Sequence, residues 1–134
     1  MSIELHHIGL VVKSIVDDIK IYEALGYELV SEIEIDELQN IKLAFLRRNG
    51  DKIKIELIEP IDETSSVHRT KGCYHHLCFD THGEKNFVTK FKGMKIGKIF
   101  TKPLNAIALD NKNVVFAWLK NGSFVELILW GVKW

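Results

Sequence analysis

Leu5-His6-His7-Ile8-Gly9-Leu10 returns later in the chain as Tyr74-His75-His76-Leu77-Cys78-Phe79, and His76 follows His7 by 69 positions. A second pair of segments keeps almost the same step. Leu43-Ala44-Phe45-Leu46-Arg47-Arg48 runs through Asn49-Gly50 into Ile53-Lys54-Ile55-Glu56-Leu57-Ile58. Val114-Val115-Phe116-Ala117-Trp118-Leu119-Lys120 runs through Asn121-Gly122 into Phe124-Val125-Glu126-Leu127-Ile128-Leu129, and Glu126 follows Glu56 by 70 positions. Two separate landmarks recurring at one period make a duplicated module the economical reading.

Each module reads as β-α-β-β-β. Residues 4–13 alternate as a strand, and Ser14 opens a helix with Asp17 three positions on, an approximation to a capping box. Ile15, Ile19, Tyr22 and Leu25 follow helical spacing up to Gly26. Residues 27–37 read as one strand with glutamates at alternate positions. Residues 41–48 and 51–59 then form a hairpin around Asn49-Gly50, a type I′ signal. The first module is placed at 1–60 and a polar linker at 61–72. The second module, 73–134, repeats the order: strand 73–81, helix 83–93, strand 95–100, a loop over 101–112, and a hairpin of 113–120 with 123–130. The helix rests on Phe87, Val88 and Phe91, and the loop is placed where a lid over a pocket would sit.

The chain has 134 residues, 46% hydrophobic and 27% charged, the composition of one globular domain with its own core. Eighteen basic side chains balance eighteen acidic ones. Zero net charge removes the electrostatic drive for non-specific binding to nucleic acid or an anionic membrane surface. No apolar run reaches the length of a membrane helix, and the first residues lack the basic-then-apolar pattern of a secretion signal. Cys73 and Cys78 do not make a disulfide framework. The expectation is a reduced, cytoplasmic protein.

Strand parity carries the chemistry. Side chains alternate between the faces of a strand, so Ile8, Leu10 and Val12 share one face and His7 takes the other. Leu77 and Phe79 likewise oppose His76. Ile53, Ile55 and Leu57 oppose Glu56, and Val125, Leu127 and Leu129 oppose Glu126. If the strands curve into a cup, His7, Glu56, His76 and Glu126 converge inside it. Two neutral imidazoles and two carboxylates suit a divalent transition metal such as Co, Ni, Mn, Fe or Zn. A carboxylate set into so apolar a strand would cost several kcal/mol unpaired, which a metal removes.

In its ordered His-Glu-His-Glu series and its duplicated frame, the chain resembles the vicinal oxygen chelate superfamily of glyoxalase I, methylmalonyl-CoA epimerase, extradiol dioxygenases and bleomycin-resistance proteins. The resemblance spans nearly the whole chain. It implies an α+β fold: two βαβββ modules forming a cupped, barrel-like mixed sheet with helices outside, in a homodimer. It also implies a metal held by His7, Glu56, His76 and Glu126. The segments His6-His7-Ile8-Gly9-Leu10-Val11-Val12-Lys13, Leu43-Ala44-Phe45-Leu46, Ile55-Glu56-Leu57-Ile58-Glu59-Pro60 and His75-His76-Leu77 are most similar to methylmalonyl-CoA epimerases. The chain departs from them at Leu119-Lys120-Asn121-Gly122, at Leu104–Leu109 and at Lys42.

Four protein ligands on a six-coordinate ion leave two adjacent positions for a substrate with neighbouring oxygens, a small molecule such as a CoA or glutathione thioester. The expected reaction is proton transfer through a metal-stabilised enediolate. By resemblance Glu126 is the general base, and Glu56 is a ligand and second base. A lactoylglutathione lyase of the glyoxalase I type is the alternative reading. An Fe(II) dioxygenase or a small-ligand-binding resistance protein are further ones. The remaining candidates are read structurally: His6 and His75 as supports on the opposite face, His68 and His82 as surface groups, and Cys78 as a small buried thiol. Arg47, Arg48 and Lys52 are read as a solvated hairpin tip, with a substrate phosphate as the alternative. Trp118, Trp130 and Trp134 are read as core or interface packing.

Overall fold

The computed structural model describes residues 2–70 and 73–131. It is an α+β chain with two α-helices and a ten-stranded mixed sheet. The elements are β1 (Glu4–Val11), α1 (Ile15–Ala24), β2 (Tyr27–Leu29), β3 (Glu34–Asp36), β4 (Ile41–Arg48), β5 (Lys54–Pro60), β6 (Tyr74–Asp80), α2 (Phe87–Met94), β7 (Gly97–Ile99), β8 (Leu104–Ala106), β9 (Lys112–Leu119) and β10 (Phe124–Trp130). Two compact units divide the chain, one of them His7–His75 and the other the chain on either side of it.

Within His7–His75 the strand order is β2-β4-β5-β1, and β3 also pairs with β4. β1 and β5 run parallel and the other pairs antiparallel. Ser14 caps α1 by accepting the Asp17 backbone N–H at 3.2 Å. Glu59 Oε1 takes the Ile15 N–H at 2.9 Å, placing a carboxylate where the helix dipole favours it. Val12, Ile15, Ala44, Leu46 and Leu57 form the buried core, with Leu10, Ile19, Tyr22 and Ile55 packed against it. Leu25 does not join them and is 61% exposed. It is the C-cap, at φ −92° and ψ 7°, so it has left the helical path that would have turned it inward.

The other unit repeats the plan with order β6-β10-β9-β7 and β8 on β9. Phe87 and Phe91 of α2 pack on Val115, Ala117, Val125, Leu127 and Leu129. The helix starts at Phe87, not at 83, because Gly83 (φ +68°) and Asn86 (φ +57°) are left-handed and interrupt it. The apolar sets assigned to the face opposite each histidine and glutamate are therefore the helix-packing sets, except for Ile8, which joins neither cluster, and Ile53, which is 39% exposed.

In the first half the expected second strand, 27–37, breaks in two; in the second, β7 lies within the expected strand 95–100 and β8 within the expected loop. Leu29 pairs with Leu46 and Glu34 with Leu43, so β2 and β3 spend two residues more than β4 over the same interval. Ile99 pairs with Ala117 and Leu104 with Val114, which is the same excess. A hydroxyl fills each break: the Phe45 N–H donates to Ser31 Oγ at 2.9 Å, and the Phe116 N–H to Thr101 Oγ1 at 3.0 Å. Such bulges leave no mark in hydropathy. The stretch 101–112 is accordingly not an open loop, since it carries β8 and a 3-10 turn at Ile107–Leu109.

The hairpin turns also differ from expectation. A type I′ turn needs positive φ at both central residues, whereas here only Gly50 (φ +91°) and Gly122 (φ +87°) have it. Lys120-Asn121-Gly122 forms a three-residue loop instead, closed by the Leu119 N–H on the Ser123 carbonyl at 2.9 Å.

Candidate functional site

The β1–β5 register sets Gly9 opposite Glu56, and His7 precedes Gly9 by two residues on the same face of β1. The His7 imidazole reaches diagonally across the ladder, bringing Nε2 to 3.3 Å from Glu56 Oε1. On the other side of β5, Phe45 stands opposite Glu56, and its ring meets His7 edge-on at 5.0 Å. His7 is fully buried and Glu56 nearly so.

The second unit builds the same arrangement from its own strands. Cys78 of β6 lies opposite Glu126 of β10, and His76 precedes Cys78 on the same face. His76 Nε2 is 3.3 Å from Glu126 Oε1, Phe116 stands opposite Glu126 on β9, and its ring lies edge-on to His76 at 6.4 Å. Both polar side chains are buried. Gly9 and Cys78 are small at the equivalent position, which leaves the imidazole its diagonal path to the carboxylate.

The donor chemistry of each pair fits a metal. A neutral imidazole nitrogen and a carboxylate oxygen bound at right angles to one ion at about 2.1 Å would stand about 3 Å apart, close to the 3.3 Å found in each pair. Each of the four residues offers one ligand atom from a buried position. Strand parity put all four residues on the face opposite the helix-packing side chains, and within each unit the structure brings imidazole and carboxylate together.

The other candidates stand apart from this chemistry. His68 and His82 are exposed, and His82 lies 3.7 Å from Glu4 and 3.8 Å from Asp80. Arg47, Arg48 and Lys52 are exposed at the first hairpin tip. His6 and His75 are half-buried, and Cys78 is fully buried. Burial, reinforced by Asp18, pushes the Cys73 thiol up from its ordinary value, the opposite of an activated nucleophile. Trp118 (51% exposed) and Trp130 (38% exposed) are not core residues, and Trp134 lies outside the described residues. Trp130 instead donates its indole N–H to Asp80 at 2.6 Å, with Lys112 over its ring.

Two features escaped the sequence reading. Glu34 had been one of the alternating glutamates of a one-sided strand. Its register opposite Leu43 turns it to the face of Phe45, where its Oε2 is buried without a hydrogen-bond partner. The second feature is a ladder of rings beside His76. Phe116 and Phe124 each lie 6.4 Å from the imidazole, and Phe124 contacts Phe100 (5.7 Å) and Trp118 (5.0 Å). Phe116 and Trp118 at alternate positions of β9, with Phe124 across the hairpin, were the available signal.

Residues 6–116 match the family model described as the Glyoxalase/Bleomycin resistance protein/Dioxygenase superfamily. No curated protein matches the chain. Among solved structures, a hypothetical protein from Bacillus halodurans is similar at 25% identity and TM-score 0.78, over 96% of this chain and 94% of its own. A methylmalonyl-CoA epimerase from Mycobacterium tuberculosis is similar at 24% identity and TM-score 0.76, over 92% and 85%. The Streptomyces coelicolor methylmalonyl-CoA epimerase, in complex with 2-nitronate-propionyl-CoA, is similar at 21% identity and TM-score 0.76, over 92% and 94%.

Proposed function

The chain belongs to the Glyoxalase/Bleomycin resistance protein/Dioxygenase superfamily, and on that premise we propose that it is a divalent-metal-dependent proton-transfer enzyme acting as a methylmalonyl-CoA epimerase-like isomerase. His7, Glu56, His76 and Glu126 are its metal ligands in this reading. The observation that carries it is the duplicated buried pair, an imidazole nitrogen 3.3 Å from a glutamate oxygen in each half. Members of this superfamily bind a divalent metal, and the solved relatives include epimerases whose complexes hold CoA thioesters.

The metal would supply Lewis acidity, making the substrate C–H beside the chelated oxygens easier to ionise. Glu126 would then take the proton from one face of that carbon. Glu56, in the other half, is a ligand and the second base, as epimerisation requires proton delivery to the opposite face of the substrate carbon. His7 and His76 hold their nitrogens in place through their buried rings. Phe45 and Phe116, set beside the two carboxylates on their ladders, keep bulk water from them and so strengthen the local electrostatics. The protein is proposed to act in the cytoplasm as a homodimer.

Elemental analysis of the purified protein tests this reading. About one equivalent of a transition metal is expected, and its loss in the His7→Ala, His76→Ala double variant. No metal, even after incubation with Co, Ni, Mn or Zn salts, would overturn it. With metal present, racemisation of methylmalonyl-CoA against turnover of the glutathione hemithioacetal separates the epimerase from the glyoxalase I alternative.

A further inference from the structure

The chain is neutral as a whole, yet residues 85–109 carry six lysines (85, 90, 92, 95, 98 and 102) and no aspartate or glutamate. This stretch includes α2, the edge strand β7 and the β7–β8 connection. A cleft of about 650 Å³ opens there, lined by Lys92, Lys98, Lys102, Phe100 and their neighbours, with no acidic side chain in its wall. Lys90 is paired with Glu84, and the three lysines that line the cleft make it a concave anion-binding feature that the overall charge balance conceals.

The cleft adjoins the aromatic ladder. Lys98 lies directly opposite Trp118 on the β7–β9 ladder. Phe100 stacks on Trp118 at 6.3 Å with the ring planes 25° apart, and both side chains are about half exposed. Two half-exposed, near-parallel rings beside ammonium groups offer stacking for a flat heteroaromatic base and ion pairing for its phosphates. The ladder leads back through Phe124 to His76 within the same unit.

We propose that Phe100 and Trp118, with Lys92, Lys98 and Lys102, form a binding site for a nucleotide bearing two or more phosphates. So far as it concerns substrate, the proposal rests on the proton-transfer reading above, and it selects a nucleotide-linked thioester over a peptide-linked one such as glutathione. Arg47, Arg48 and Lys52, the phosphate candidates apparent from sequence, sit at the other unit's hairpin tip, where Tyr27, opposite Arg48, packs edge-on against Tyr22 and forms no stacked pair like that of Phe100 and Trp118.

The test needs no turnover and no metal. ADP, adenosine and inorganic pyrophosphate are titrated calorimetrically into the metal-stripped full-length protein, its Lys98→Glu, Lys102→Glu variant and its Phe100→Ala variant. The three substituted residues are exposed, and circular dichroism verifies folding. The expected result is that ADP binds more tightly than either fragment and that its affinity falls with salt. Charge reversal should lower that affinity at least tenfold, and Phe100→Ala roughly five- to a hundredfold. Absence of ADP binding at millimolar concentration would overturn the proposal, as would binding that both variants retain. So would a dimer that Phe100→Ala dissociates while ADP fails to bind, because the rings would then face a second copy. Metal content is measured on separate samples, so failure here leaves the metal reading standing.

Discussion

Ser31 Oγ accepts the backbone N–H of Phe45 at 2.9 Å, and Phe45 is the residue facing Glu56 across the β4–β5 ladder. The bulge between β2 and β3 therefore anchors the strand that flanks one of the candidate ligands. Thr101 does the same for Phe116, which faces Glu126. Removing either hydroxyl leaves a partly buried N–H without its acceptor. Ser31→Ala and Thr101→Ala should each destabilise the fold by about 1–2 kcal/mol, while Ser31→Thr should stay within about 0.5 kcal/mol of the parent. Urea denaturation of the three variants checks this, and equal midpoints would mean that the hydroxyls contribute nothing.

Metal binding should be visible as stability. A ligand held only by the folded state at a free concentration a hundredfold above its dissociation constant adds about 2.7 kcal/mol. For a chain of this size that is a rise in melting temperature on the order of 10 °C. Calorimetric scans of metal-stripped and metal-saturated protein should differ accordingly, and the His7→Ala, His76→Ala variant should show no difference.

Glu126→Gln keeps an oxygen ligand and the side chain's shape but removes the proton acceptor. Turnover should fall roughly 10²- to 10⁴-fold with metal content unchanged. Steady-state kinetics with elemental analysis on one preparation decide this, and an unaltered rate would remove Glu126 from its role as base.

The turn at the start of the linker should carry a pH signature. Hydrogen bonds from the Thr64 hydroxyl and backbone N–H, then from the Asn40 amide, hold the Asp62 carboxyl below its ordinary value of 3.8. A depressed folded-state pKa stabilises the ionised turn above the ordinary value and loses that stabilisation as pH falls through the lower, folded one. Asp62 is fully exposed, so the effect belongs to the turn and not to global unfolding. The Thr64 amide resonance should titrate below pH 3.8, and Asp62→Asn should flatten the profile.

Much of this architecture was legible because it depends on local pattern. The repeat of His7 by His76 and of Glu56 by Glu126, the alternation that separates helix-packing side chains from polar ones, and the Ser14 cap are all properties of neighbouring residues. Phe87, Val88 and Phe91 were enough to locate a helix. Its first turn was misplaced because nothing in hydropathy marks Gly83 and Asn86 as left-handed. Core packing does not hold for Trp118 and Trp130 for a related reason, since size and apolarity do not tell whether a strand face will be covered within the chain, and both lie on faces left half open.

The sequence by itself determined the duplicated strand-and-helix order, the face on which each histidine and glutamate stands, and the chemistry those side chains offer. Tertiary structure alone decided the rest. The two-residue excess that splits β2 from β3 and β7 from β8 exists only relative to a partner strand, so no reading of one segment could reveal it. Glu34 Oε2 became buried through a register that only pairing with β4 sets. Lys92 of α2, Lys98 of β7 and Lys102 beyond it came to line one cleft with Phe100 because helix and edge strand pack together. Pattern along a chain fixes which way a side chain points, but which other side chains it meets depends on contacts between segments far apart in sequence.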